Sequence, residues 1–119
     1  MLGEYLAQTE AKTFRYGQHD CALFAARWVL ARTDKDLTLG IRHTSLRDGI
    51  QQLRAVGFES HIDVAAAHLE EVPPLMARRG DIAAVGKMLG IVTGERIALL
   101  KRRGLTTVPI TVGERAFRI

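Results

Sequence analysis

Hydrophobic and polar positions follow two different periods along this chain, helical up to about residue 79 and strand-like beyond it. Leu2, Tyr5, Leu6 and Thr9 recur at helical spacing and predict an amphipathic helix over residues 2–13 that stops before Tyr16-Gly17. From Cys21 the apolar set Phe24, Ala25, Trp28 and Val29 repeats that spacing, with Arg27, Arg32 and Asp34 on other faces, so a second helix buries one side and packs on the first. Residues 33–40 are a polar connection rich in Asp and Thr, expected as a flexible segment rimming a cleft. Thr44 or Ser45 then caps a third helix with Leu46, Ile50, Leu53 and Val56 on one face and Gly57 as its stop. Residues 62–71 predict a short fourth helix, closed by Val72-Pro73-Pro74, which cannot continue it. The runs 81–85, 88–93, 95–100, 105–110 and 115–119, broken by Gly86, Gly94, Gly104 and Gly113, predict an antiparallel meander. Helices first and strands second give an α+β domain, with N-terminal helices packed on a small C-terminal antiparallel sheet.

Composition narrows this further. A chain of 119 residues, 47% hydrophobic, predicts a single domain over 1–119 with one core. With only 6% aromatic residues, Trp28, Phe14, Phe24, Phe58 and Phe117 are the expected anchors of that core. Leu37, Leu39 and Ile41 read either as a docking patch or as core. The one cysteine excludes an internal disulfide and is compatible with synthesis and folding in a reducing cytoplasm. A formal charge of +4 reads as solubility rather than a nucleic-acid footprint. Lys101-Arg102-Arg103, the tight basic run, precedes Gly104 and reads as a solvated turn, without the aromatic or helical context of a nucleic-acid contact. No apolar run has the length of a signal peptide or a membrane span, so no membrane insertion is expected.

Candidate chemistry gathers at Tyr16-Gly17-Gln18-His19-Asp20-Cys21-Ala22-Leu23-Phe24, where a turn runs into the second helix. Asp20 is a good N-cap, which puts Cys21 at the first helical position. The positive end of the helix dipole there favours thiolate, the nucleophilic form. The competing reading is a small core residue on the buried side of an amphipathic helix. Among the histidines, His19 lies two residues before Cys21 and is the candidate substitute base, against the blander reading of a loop histidine. His43 falls in a loop and carries no signal. His61 and His68, seven apart, would stand roughly 10 Å from each other along one continuous helix, too far to share a metal. No metal or cofactor is expected. Arg79-Gly80-Asp81 reads as a turn into the first strand, with Gly80 in an unusual backbone conformation and Asp81 hydrogen-bonding the turn.

The pattern Tyr-Gly-x-His-Asp-Cys-x-x-Phe-x-Ala-x-Trp, followed by Arg79-Gly80-Asp81-Ile82 and then Leu89-Gly90-Ile91-Val92-x-Gly94, resembles the NlpC-type papain-like cell-wall peptidases. It is more similar still to a group of short phage and prophage proteins built on the same plan, from about Phe14 to Ile119. The resemblance implies a minimal papain-like domain in which a cysteine opens a helix, a histidine base begins the strand ending in Gly-Ile, and a polar residue on the next strand orients that histidine. Cys21 matches the nucleophile and Asp20 its neighbour, but the histidine position falls on Met88, and Ile97 to Leu100 stand near the orienting position. Loss of general-base assistance is worth ~100 to ~10,000-fold in rate. The expectation is therefore a phage or prophage tail-associated protein of the tail tip or baseplate, with lost peptidase activity, partnered by other tail proteins and incorporated into the virion. One alternative is an active cysteine peptidase or amidase cutting peptidoglycan during DNA entry, with a base recruited from His19 or from a partner chain. Another is a small module that binds a peptide or acyl group in an apolar cleft around Cys21, Trp28 and Met88.

Overall fold

The computed structural model describes residues 1–12, 14–15 and 20–119 and is an α+β arrangement of helices followed by an antiparallel sheet. Helices α1 (Leu2–Glu10), α2 (Cys21–Thr33), α3 (Leu46–Ala55) and α4 (His61–His68) precede strands β1 (Glu70–Val72), β2 (Ile82–Val85), β3 (Met88–Val92), β4 (Arg96–Leu100), β5 (Leu105–Pro109) and β6 (Arg115–Arg118).

The strands pair in the order β1-β6-β2-β3-β4-β5, antiparallel throughout. The expected meander covers β2 to β5. The last strand departs from it by crossing back to lie between β1 and β2, with Phe117 opposite both Glu71 and Ile82. The fourth helix is also shorter than expected. Leu69 is already extended (ψ 155), and Glu70 and Glu71 join the sheet instead of the helix. Pairing with β6 supplies backbone partners there, and the Arg115 guanidinium grips the Glu71 carboxylate in a fork, 2.9 Å from Nε to Oε2 and 2.7 Å from Nη2 to Oε1.

Both faces of the sheet are covered, which explains why β2 and β4 read as continuous apolar runs instead of alternating ones. Ile82, Ala84, Leu89, Ile91 and Phe117 face the helices and meet Phe24, Ala25, Val29, Val64 and Ala65. Ala83, Val92, Ile97, Leu99 and Ala116 form a second cluster on the opposite face with Val72. Helix α2 lies mainly across β3, the central contact of helix layer and sheet. Helix α1 packs on α2 as expected: the Tyr5 hydroxyl donates to the Phe24 carbonyl (2.6 Å), and its ring stacks on Phe24.

Trp28, Phe24 and Phe117 are core anchors, whereas Phe14 and Phe58 are half-buried at its edge. The Arg-Gly-Asp turn is built as expected. Gly80 sits at φ +96, Asp81 Oδ2 accepts from the Arg78 N–H (2.8 Å), and the Gly80 carbonyl accepts from the Trp28 indole N–H (2.8 Å). Residues Lys101 to Arg103 are exposed between β4 and β5.

Candidate functional site

A largely apolar cleft opens beside the start of α2, enclosing about 780 Å³ of space, part of it open to solvent. Its walls come from four places: the α2 N-terminus, the connection that follows α2, the length of α3, and the start of α4, with Leu89 of β3 as the floor. The first residues of three helices, Cys21, Leu46 and His61, all line it. Helix N-termini carry unpaired N–H groups and a partial positive charge, so each start contributes a local field that favours negative charge beside it.

Asp20 is the hub. Its Oδ1 accepts from the Leu23 N–H (2.9 Å), the N-cap that the sequence predicts, and its Oδ2 lies 2.6 Å from His43 Nε2. The carboxylate is nearly buried, so one side chain both starts α2 and holds an imidazole from the loop before α3. That ring lies over Gly49 of α3, whose missing side chain leaves room for it: a Cβ there would stand 3.3 Å from His43 Cγ.

Cys21 is half-buried and lines the cleft. Burial pushes its thiol above the ordinary value, and the neighbouring Asp20 charge pushes it further in the same direction. The backbone N–H groups of Ala22, Leu89 and Cys21 itself pull the other way and are outweighed. This corrects the expectation of a resting thiolate. The helix terminus does stabilise the anion, but dehydration outweighs it, and the residue that caps the helix, itself an anion, adds to that effect.

His61 lines the same cleft. Burial lowers its pKa first; Asp20 opposes that, and His43 adds to it, so the ring is neutral at pH 7. Its Nε2 is shielded from solvent and has no hydrogen-bond partner among the described residues. A linked pH effect follows. The unfolded chain takes up this proton near 6.5 while the folded site resists it, so stability is complete above pH 6.5 and declines as pH falls below that value. Urea midpoints measured from pH 7 to pH 5 should fall for the wild type and fall less steeply for His61→Gln; equal slopes would contradict a buried neutral ring.

The other singled-out residues lie elsewhere. Met88 opens β3 opposite Val85, is 38% exposed, and belongs to the face away from α2; the residue turned to the thiol is Leu89. His68 closes α4, with Nδ1 2.8 Å from the Val64 carbonyl. Leu37 is core, Leu39 is exposed, and Ile41 lines the cleft with Leu37 and Thr38. Trp28 is not among the cleft-lining residues. His19, Tyr16 and Gly17 lie outside the described residues.

Residues 1–119 match the model of a family described as a domain of unknown function (DUF6950). The chain belongs to the DUF6950 family. No curated protein matches it. What this DUF6950 chain brings together is thus a thiol, two imidazoles and a carboxylate in one cleft. Sequence reasoning found Cys21 and Asp20 and passed over His43 and His61 as participants. Their one shared signal is position: each stands within a few residues of a helix start, as Cys21 does.

Proposed function

We propose that this DUF6950 chain is a phage or prophage tail-associated protein with an NlpC-like thiol site, acting as a cysteine peptidase or amidase on cell-wall peptides. The observation that carries the reading is the presence of His43 and His61 in the cleft that Cys21 lines, since the resemblance alone leaves the thiol without a base. Neutral imidazole is the proton acceptor that a resting thiol requires. In the reaction, the Sγ–H proton passes to an imidazole as sulfur bonds to the acyl carbon. The same proton leaves with the amine when the C–N bond breaks, and water then hydrolyses the thioester. Negative charge developing on the acyl oxygen is favoured by the helix N-termini at the cleft and by the backbone N–H groups of Ala22 and Leu89 beside the sulfur.

Incubation of the purified protein with peptidoglycan fragments, followed by mass spectrometry, should yield new peptide products that disappear in Cys21→Ala. Their absence from the wild type would overturn the enzymatic reading. A second reading is favoured by the raised thiol pKa and by Leu89 standing where it faces the thiol: a tail-tip or baseplate component that keeps the cleft for its shape and contacts other tail proteins. Protein sequencing of purified virions tests the tail association shared by both readings. Recovery in particles with no cleavage by the isolated chain selects the second.

A further inference from the structure

We propose that His61, reaching the cleft from the start of α4, is the base that takes the Cys21 proton, and that the Asp20–His43 pair positions the site without performing this transfer. The proposal rests on the thiol-enzyme reading above and deepens it by assigning a base on a helix, away from the strand on which the resembled peptidases carry theirs.

Three observations converge. The first is engagement: His43 Nε2 lies 2.6 Å from Asp20 Oδ2, a carboxylate whose other oxygen is tied to the α2 cap, so this nitrogen is already taken up in holding the start of α2. The second is availability. His61 Nε2 is a solvent-shielded ring nitrogen at the cleft with no hydrogen-bond partner among the described residues, and a buried polar atom without a partner calls for a reason. An acceptor waiting for a proton from a thiol supplies that reason. The third is complementarity of state. A base must be unprotonated before attack, and burial keeps His61 neutral, while burial and then the Asp20 charge keep Cys21 in its thiol form. The groups facing His61 in the cleft are thus Asp20, which favours its protonation, and His43, which opposes it, with Cys21 as proton donor.

The resting site is consequently thiol plus neutral imidazole, with the proton moving only as sulfur attacks. Transfer balances without any further reactant: Sγ loses the proton, Nε2 gains it, and the sulfur lone pair forms the new bond to carbon. The alternative, a thiolate–imidazolium pair formed in advance, needs the reverse order of proton affinities.

Alkylation of Cys21, the only thiol in the chain, tests this directly. Iodoacetamide rates are measured from pH 5 to pH 10 by intact mass, with the native fold checked by circular dichroism. The wild type should show a plateau of assisted alkylation at neutral pH that disappears as His61 becomes protonated below pH 6.5. His61→Asn and His61→Gln should lose that plateau, about 100-fold at pH 7 if the assistance is of ordinary general-base size, and keep the rise at alkaline pH. His61→Ala should regain part of the rate with added free imidazole, a readout that a structural role would not move. His43→Ala, which removes a positioning contact to Asp20, should lower the plateau without abolishing it or its dependence on His61. A wild-type profile in both His61 variants, or loss of the plateau in His43→Ala alone, overturns the assignment. An alkylation plateau that depends on His61 in a protein that leaves peptidoglycan intact keeps the base and removes the cell-wall substrate; cleavage with an unchanged alkylation profile does the opposite.

Discussion

Gly90→Ala is expected to destabilise the domain by about 3 kcal/mol or more, at the upper end of what overpacking costs. Gly90 lies on β3 between Leu89, the floor of the cleft, and Ile91 in the core. A Cβ there would stand 2.4 Å from the Ala98 carbonyl oxygen, 2.7 Å from a Leu99 methyl and 2.8 Å from an Ile97 methyl. The nearest obstacle is strand backbone, so relief requires β3 and β4 to separate where they pair through Ile91 and Ala98. Small domains are stable by roughly 5–15 kcal/mol in total, so this one methyl group removes a large share. Urea or guanidinium midpoints check the value. Gly3→Ala on α1, where nothing lies within 4 Å, is the control and should be neutral or slightly stabilising. Equal midpoints for the two variants would refute the steric account. The Gly-Ile landmark that carries the family resemblance thus has a packing reason, independent of any histidine before it.

Trp28→Ala should cost about 3–5 kcal/mol, the range for deleting a large buried aromatic side chain. Trp28 is 3% exposed, contacts Tyr5 at a ring separation of 5.4 Å, and donates its indole N–H to the Gly80 carbonyl across 52 residues of sequence. That bond joins α2 to the turn leading into β2, so the residue ties the helix layer to the sheet. Trp28→Phe separates the two contributions. It keeps most of the apolar volume and strands the Gly80 carbonyl, for an expected loss of about 1–3 kcal/mol. Thermal and denaturant unfolding of both variants decide it, and a Phe variant as damaged as the Ala variant would assign the effect to the hydrogen bond alone. Neither change touches the cleft-lining side chains, so alkylation of Cys21 in the folded fraction should be unaffected.

The elements were legible wherever a local rule governed them. Asp20 and Ser45 cap α2 and α3 because a short acceptor side chain reaches the free N–H groups of its own first turn, an interaction contained within four residues. The Gly80 turn is local in the same sense. The misreadings at Glu70, Glu71 and the last strand arise where pairing with a distant segment decides the outcome. Glu71 lies opposite Phe117 and is held by Arg115, contacts that no window around residue 71 contains.

The candidate site divides along the same line. Residue order alone determined that a capped helix would begin at the lone cysteine, and that helices would precede strands, because both depend on neighbours within a turn or on periodicity. Only tertiary structure decided what surrounds that cysteine. His43 and His61 come from separate segments, 22 and 40 residues downstream, and share a cleft with Cys21 because the starts of α2, α3 and α4 all line it, with Leu89 of β3 beneath. The charge state of the thiol was likewise decided by folding. The helix terminus that favours thiolate is present in the sequence, but burial of the sulfur and fixation of the Asp20 carboxylate beside it exist only once the layers have packed, and together they outweigh it.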